Sequence, residues 1–398
     1  MKAINRHLQT KLISVVILLL FVVSIFDPAD QILSIKVPVF ICMWLLFLFF
    51  KLFDGKGVSI PSNLGVYLLV FIIIIPAVSV LRYICFNTVT DQYLLHLWFC
   101  MKPLLFLSVV VVLCDYKIDA APMIGNLLLY FSLCIFIVFA LILQGYDVFN
   151  SKVINLVYEK GLIQKIDFRN YGGFKLYYIY FVTAPLLVIS TAYYSEKVLV
   201  SRGRVKWKYL IFLIVSFVSF FLTGSRNSII ISVITPLLVY LVYAKKKLRA
   251  YIITLFIGLI NLFYWRDIIF AMFNSESQSN LGRLSIFQDY IKVIQIPSNL
   301  LFGQGLGATF YVSAKSRVTW IAELTYLEII RHYGLFMGGI VIMMLLIPFF
   351  RYKRYSDKKY LLVAYVGYLL MCITNPFLFS SSGMAMLSII LYPVFAKS

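Results

Sequence analysis

The chain has 398 residues, of which 62% are hydrophobic and 13% charged, so it has too little polar surface to coat a water-soluble globule of its size. Its formal net charge of +20 lies in short clusters between apolar runs rather than along one soluble face. That pattern argues against a nucleic-acid surface and for a membrane topology signal. Five of the cysteines (Cys42, Cys100, Cys114, Cys134 and Cys372) fall in apolar runs and only Cys85 lies near a loop, which leaves no disulfide framework and no paired-cysteine metal site.

Apolar segments occur at 12–26, 34–53, 64–82, 93–113, 121–143, 175–195, 209–223, 228–244, 250–264, 321–350, 360–376 and 383–395. A hydrocarbon core of about 30 Å takes roughly 20 apolar residues per helix, so the sequence predicts an all-α, polytopic membrane protein with about twelve transmembrane helices. The first segment follows Lys2, Arg6 and Lys11 as a signal peptide would, but no small-residue cleavage site follows it, and it reads as an uncleaved helix. With the N-terminus in the cytoplasm, alternating sides put every dense basic cluster inside: Lys51 and Lys56; Lys117; 197–208; 245–249; 351–359. Removing any one span would move later clusters to the wrong side. Both termini are then cytoplasmic, and two long loops, about 144–174 and 265–320, face outward. No internal repeat or linker divides the chain, so 1–398 reads as a single transmembrane domain.

Chemistry is expected on the outer face, where arginines stand against the topological bias: Arg169, Arg226, Arg266, Arg283, Arg317 and Arg331. Arginine grips phosphate oxygens with a planar fork and stays charged at any working pH. The alternative is that these side chains pair with Asp147, Asp167, Asp267, Asp289, Glu276 or lipid phosphates. Arg226 differs in sitting in a five-residue turn between two helices, Thr223-Gly-Ser-Arg226-Asn227, which holds it at the membrane boundary. A second constellation, Glu323-Leu-Thr-Tyr326-Leu-Glu328-Ile-Ile-Arg331-His332-Tyr-Gly334, opens a long helix. Helical spacing would put Glu323, Leu327 and Arg331 on one face and pair Glu328 with His332. Local ion pairs easing a long helix out of lipid are the alternative reading. A glycine string, Gly303-Gln-Gly305-Leu-Gly307, lacks the strand context of a nucleotide loop and suits close approach of backbone to a substrate or a helix. His96 is alone in an apolar run, and Asp27 and Asp30 suit a helix-ending turn better than a metal site. Tyr171, Tyr311, Trp320 and Tyr326 are outer-face aromatics that either stack on sugars or anchor the interface.

Taken in order, Thr223-Gly-Ser-Arg226, Asn280-Leu-Gly-Arg283, Asn299-Leu-Leu-Phe-Gly-Gln-Gly-Leu-Gly307, and Leu327 with Gly334 resemble the signature of the O-antigen polymerase and ligase superfamily over residues 223–339. The resemblance implies a polyprenyl-diphosphate-linked glycan as donor, an extracytoplasmic site, and arginines on the diphosphate without a required metal or other cofactor. In the ligase branch the last motif usually opens with a histidine. Here that place is Glu323, so the polymerase branch is the closer resemblance. The implied function is polymerisation of O-antigen or a related surface polysaccharide on the periplasmic face of a bacterial inner membrane. Glu323 would be the general base and Arg226, Arg283 and Arg331 the diphosphate contacts; Arg169, His332, Tyr326, Asn227 and Gly305 would bind substrate. Implied partners are an undecaprenyl-diphosphate-linked oligosaccharide, membrane lipid, a chain-length regulator and a flippase. O-antigen ligase and lipid-linked oligosaccharide flippase are the alternatives.

Overall fold

In lipid no water satisfies the backbone, so runs of Leu, Ile, Val and Phe close their hydrogen bonds within helices. The computed structural model describes residues 6–28, 30–55, 57–144, 159–171, 174–264 and 278–396. Eight of the described helices are long and apolar enough to cross a membrane: Arg6–Phe26, Lys36–Asp54, Ser62–Phe86, Asp91–Tyr116, Ala120–Leu143, Gly203–Leu222, Arg226–Tyr243 and Thr325–Phe350. Lys359–Met371 and Ser381–Phe395 are shorter apolar helices, and Lys247–Tyr264 is also helical. The protein is an all-α, polytopic membrane protein.

The sixth predicted segment departs from this pattern. Residues Ile163–Tyr171 (β1) and Phe174–Phe181 (β2) form an antiparallel hairpin, and the helix begins only at Leu187, running to Val200. The stretch Phe-Lys-Leu-Tyr-Tyr-Ile-Tyr-Phe is as apolar as a helix would need, but it is aromatic and β-branched, which favours a strand. An apolar run does not by itself tell strand from helix.

The described chain falls into two compact units. The first comprises Met1–Val58, Ile118–Phe273 and Tyr355–Met371. At its centre is the 187–200 helix, buried at every residue from Leu187 to Glu196 and packed by the 120–143, 203–222, 226–243 and 359–371 helices. Small residues let these helices approach: Gly125 lies against the Tyr193 ring, where an added Cβ would come within 2.7 Å, and Gly367 lies against Val188 and Ile231. Ser190, Thr191 and Ser195 donate to carbonyls of their own helix, so the buried hydroxyls are satisfied. Asp27 ends the first helix by accepting the amides of Gln31, Ile32 and Leu33 at 2.9, 3.0 and 2.7 Å. Burial opposes ionisation of this carboxyl, but the three amides and Lys36 outweigh it and hold it below the usual carboxylate range. Asp30 accepts the Lys36 amide at 2.9 Å, so both aspartates are engaged in the turn.

The second unit comprises Ser59–Lys117, Asn274–Arg354 and Cys372–Ser398. Its 62–86 helix contains a π-helical turn, Leu69–Ile74, just ahead of Pro76, which has no N–H to continue the ladder. The described part of the second long loop is folded: helix Gln278–Ile294, helix Pro297–Phe302, and a hairpin of β3 (Phe310–Val312) and β4 (Arg317–Thr319). Ile286, Tyr290 and Ile294, spaced four apart on one face of the helix, bury themselves with Phe310, Val312 and Ala322. Asp289 ties helix to hairpin by accepting the Ser313 amide at 2.7 Å and hydroxyl at 2.8 Å. Burial would raise its pKa, but the two Ser313 bonds and Lys292 reverse the effect and lower it.

Candidate active site

The long helix entered by the Glu323 motif is two helices. Gly334 has φ 69° and ψ −179°, breaking Thr325–Phe350 into two segments. A break strands carbonyls that the next turn would have engaged. Loop backbone replaces those donors: the Gln304 amide donates to the Arg331 carbonyl at 2.7 Å and the Gly305 amide to that of His332 at 3.3 Å. The Ser79 hydroxyl also donates to the His332 carbonyl, at 2.8 Å.

The glycine string makes this contact possible. Gly303, at φ +76°, stands so close to the break that an added Cβ would meet the His332 carbonyl oxygen at 2.5 Å, and Gly334 backs directly onto Leu301. Gly305 lies against Tyr83 (2.6 Å from an added Cβ) and Gly307 against Leu97 (3.1 Å). Each glycine therefore seats the loop on a different helical segment. Protein fills the space beside Gly305.

Arg331 is the centre of this clasp and is 0% exposed. Its Nε donates to Glu328 Oε2 (3.2 Å), and Nη1 donates to Gln304 Oε1 (3.0 Å) and the Ala308 carbonyl (2.8 Å). Nη2 faces Glu328 Oε1 (2.5 Å), the Trp320 carbonyl (2.8 Å) and His332 Nε2 (2.7 Å). Tyr290 donates its hydroxyl to Glu328, and the Phe310 ring lies 4.5 Å from the guanidinium carbon. A guanidinium has five N–H donors, and all five are committed to protein acceptors. Arg331 as it stands presents none to a diphosphate. His332 likewise is buried, with its Nε2 against Arg331 and 3.3 Å from Glu328.

Glu323 stands outside the helix. Leu324 adopts φ +73°, helix begins at Thr325, and the Thr325 hydroxyl donates to the Asn375 carbonyl at 2.6 Å. The expected face of Glu323, Leu327 and Arg331 is therefore not formed, because a left-handed residue interrupts the spacing on which it depends. Glu323 instead meets Arg283, with Nε to Oε2 3.4 Å and the two side chains 31% and 32% exposed. The Arg283 Nε makes no aligned hydrogen bond, so the pair is loose as well as open. Arg283 and Tyr290 are seven residues apart on the same helix face, about 10 Å along the axis. One helix thus touches Glu323 near one end and Glu328 further on.

Of the remaining candidates, Tyr326 is half-buried in the first turn of the helix, Arg317 is exposed on β4, and Tyr311 is exposed on β3. Trp320 stacks on His96 and Phe99, with ring centroids 5.9 and 5.8 Å apart. In the first compact unit, Arg226 opens the 226–243 helix and Asn227 follows it. Ser225 caps that helix by accepting the Ser228 amide at 3.0 Å. Gly224, at φ +66°, is pressed against Tyr178 of β2, so the turn carrying Arg226 is braced by the hairpin of the first long loop. Arg169 lies on β1 opposite Leu176, with its side chain outside the described residues, and Arg266 is also outside them. Sequence reasoning missed Tyr290, Gln304, Phe310 and Arg82, which donates to the Gly303 carbonyl at 3.3 Å. The one available signal was Arg331 itself, since a cation at a span's edge demands acceptors.

Residues 211–336 match the family model described as O-Antigen ligase. No curated protein and no solved structure matches the chain significantly. The matched stretch holds the 223–227 turn, Arg283, the glycine string, Glu323 and the Glu328–Arg331 clasp. It supports polymerase- or ligase-type chemistry on lipid-linked polysaccharide in a bacterial membrane. Over residues 211–336 the chain is therefore similar to the O-antigen ligase family model, a match consistent with the O-antigen polymerase and ligase superfamily.

Proposed function

We propose that this protein is a polymerase of O-antigen or a related surface polysaccharide. It transfers a growing glycan from undecaprenyl diphosphate onto a new lipid-linked repeat unit at the periplasmic face of the inner membrane, without a metal. The observation that carries this reading is the open Arg283–Glu323 pair, mounted on the folded second loop beside a saturated clasp. A glycosyl transfer of this kind needs a base for a weakly acidic sugar hydroxyl and a cation for the departing diphosphate.

In the proposed step the acceptor hydroxyl oxygen attacks the anomeric carbon, the bond to the diphosphate oxygen breaks, and the proton passes to Glu323. Protonation removes the negative charge that holds Arg283 at the moment when charge grows on the diphosphate. Arg283 is thereby released to the leaving group, an interaction stronger in the transition state than in the ground state. Arg226 is proposed as a diphosphate contact on separate grounds: it sits in the first turn of a helix, where a cation opposes the macrodipole and an anionic neighbour relieves it. Arg169, Asn227 and Tyr326 remain proposed substrate contacts. Arg331 and His332 are assigned to positioning.

The family description favours a second reading, O-antigen ligase. Deleting the gene and resolving surface lipopolysaccharide on a gel separates the two. Loss of the ladder with a single-unit band retained supports the polymerase. Loss of every repeat unit from the lipid anchor supports the ligase and overturns our preference. The proposed chain-length regulator and flippase would act beside the polymerase.

A further inference from the structure

At the far end of the 325–350 helix from Arg331, within the same compact unit, lies a cavity of about 440 Å³, within the ordinary range for small-ligand sites. Asn63, Tyr67 and Val70 face it from the 62–86 helix, Ile340 and Arg351 border it from the 325–350 helix, and Phe395 closes it from the last helix. Asn63 is in the first turn of its helix and Arg351 just past the last turn of the other. Both polar residues therefore stand at one mouth, while Val70 and Ile340 lie about 10 and 16 Å deeper along their helices. The π-helical turn Leu69–Ile74 widens the 62–86 helix beside Val70, a distortion that often accompanies a binding site.

Two observations point to an occupant. Tyr67 is 4% exposed, its ring 5.7 Å from those of Phe71 and Phe395, and its hydroxyl is buried without a hydrogen-bond partner. A buried hydroxyl left bare is unfavourable enough to call for an acceptor. At the mouth, Arg351 is exposed, and no carboxylate among the described residues pairs with it. An apolar shaft with one internal donor and a basic rim fits a molecule with an acyl chain, an oxygen about one helical turn below the head, and a net negative head group.

We propose that this cavity holds one acyl chain of an anionic phospholipid, with its phosphate on Arg351 and an ester oxygen on the Tyr67 hydroxyl. The site is separate from the loop clasp, and the lipid acts there as a bound structural ligand rather than as substrate. The test titrates full-length protein in neutral detergent with phosphatidylglycerol, read by native mass spectrometry and by thermal shift. One retained copy is expected, preferred over phosphatidylethanolamine. Arg351→Gln should weaken it about fivefold, and Val70→Trp, which fills the shaft, should remove it. Arg351 is exposed, so its replacement decides the matter even where Val70→Trp fails to fold. Unchanged retention by Arg351→Gln overturns the proposal, as does equal retention of the two lipids. Displacement of phosphatidylglycerol by undecaprenyl phosphate overturns it in favour of a substrate tail.

Discussion

The 278–294 helix meets two glutamates on opposite terms. Through Tyr290 it reaches Glu328, which with Arg331 forms a dry pair whose every donor is used. Through Arg283, seven residues earlier, it meets Glu323 in a pair about one-third exposed and imperfectly aligned. Composition makes the two pairs look alike, one glutamate and one arginine each. On the proposed function, their surroundings give them different work. A buried, saturated pair has no valence left for a substrate and fixes geometry, whereas an open pair can exchange its partner for a hydroxyl or a diphosphate at little energetic cost.

The widest separation between the pairs should come from Glu323→Gln, which keeps the shape and removes the base. We expect chain extension from lipid-linked repeat units to fall about 10²–10⁴-fold, with the melting temperature unchanged. Next in size, Arg331→Ala should destabilise the protein by about 3–5 kcal/mol by leaving Glu328 buried and unpaired, whereas Glu328→Leu with Arg331→Met should recover most of that loss. Thermal unfolding in detergent reads both, and equal instability of single and double variants would contradict a purely structural pair. Smaller again, Gly303→Ala should cost about 1–3 kcal/mol from its left-handed φ alone, and more from the His332 carbonyl it would strike.

The smallest effect is acidic. Asp289 has a lowered folded pKa, so its contribution is complete above the unfolded carboxyl value of about 3.9 and is lost as pH falls through the folded value. The protection of the Ser313 amide from hydrogen exchange, taken relative to the intrinsic rate at each pH, should therefore fall below about pH 4. Asp289→Asn should remove that pH dependence.

Much of the architecture is legible in the sequence because lipid allows so few solutions. Long apolar runs became helices, and the basic clusters fall in or beside the connections near 202–208, 245–249 and 351–359. Residues 174–181 misled because apolarity carries no period there. The division into two units, each drawn from three stretches of chain, follows no shift in composition. Within the site, motif spacing marked Arg283 and Glu323 but not that they meet across forty residues. Helical periodicity placed Glu323 on the wrong face, since nothing in Leu324 announces a left-handed turn. The glycine string was visible, while the partners of its three glycines, His332 opposite Gly303 among them, are settled only by tertiary packing.

The most direct measurement is in vitro chain extension by purified Glu323→Gln protein in vesicles supplied with lipid-linked repeat units, beside its melting curve. We expect a folded protein of wild-type melting temperature that leaves single units unextended. A full polymer ladder from this variant would contradict the assignment of the open pair to the chemistry.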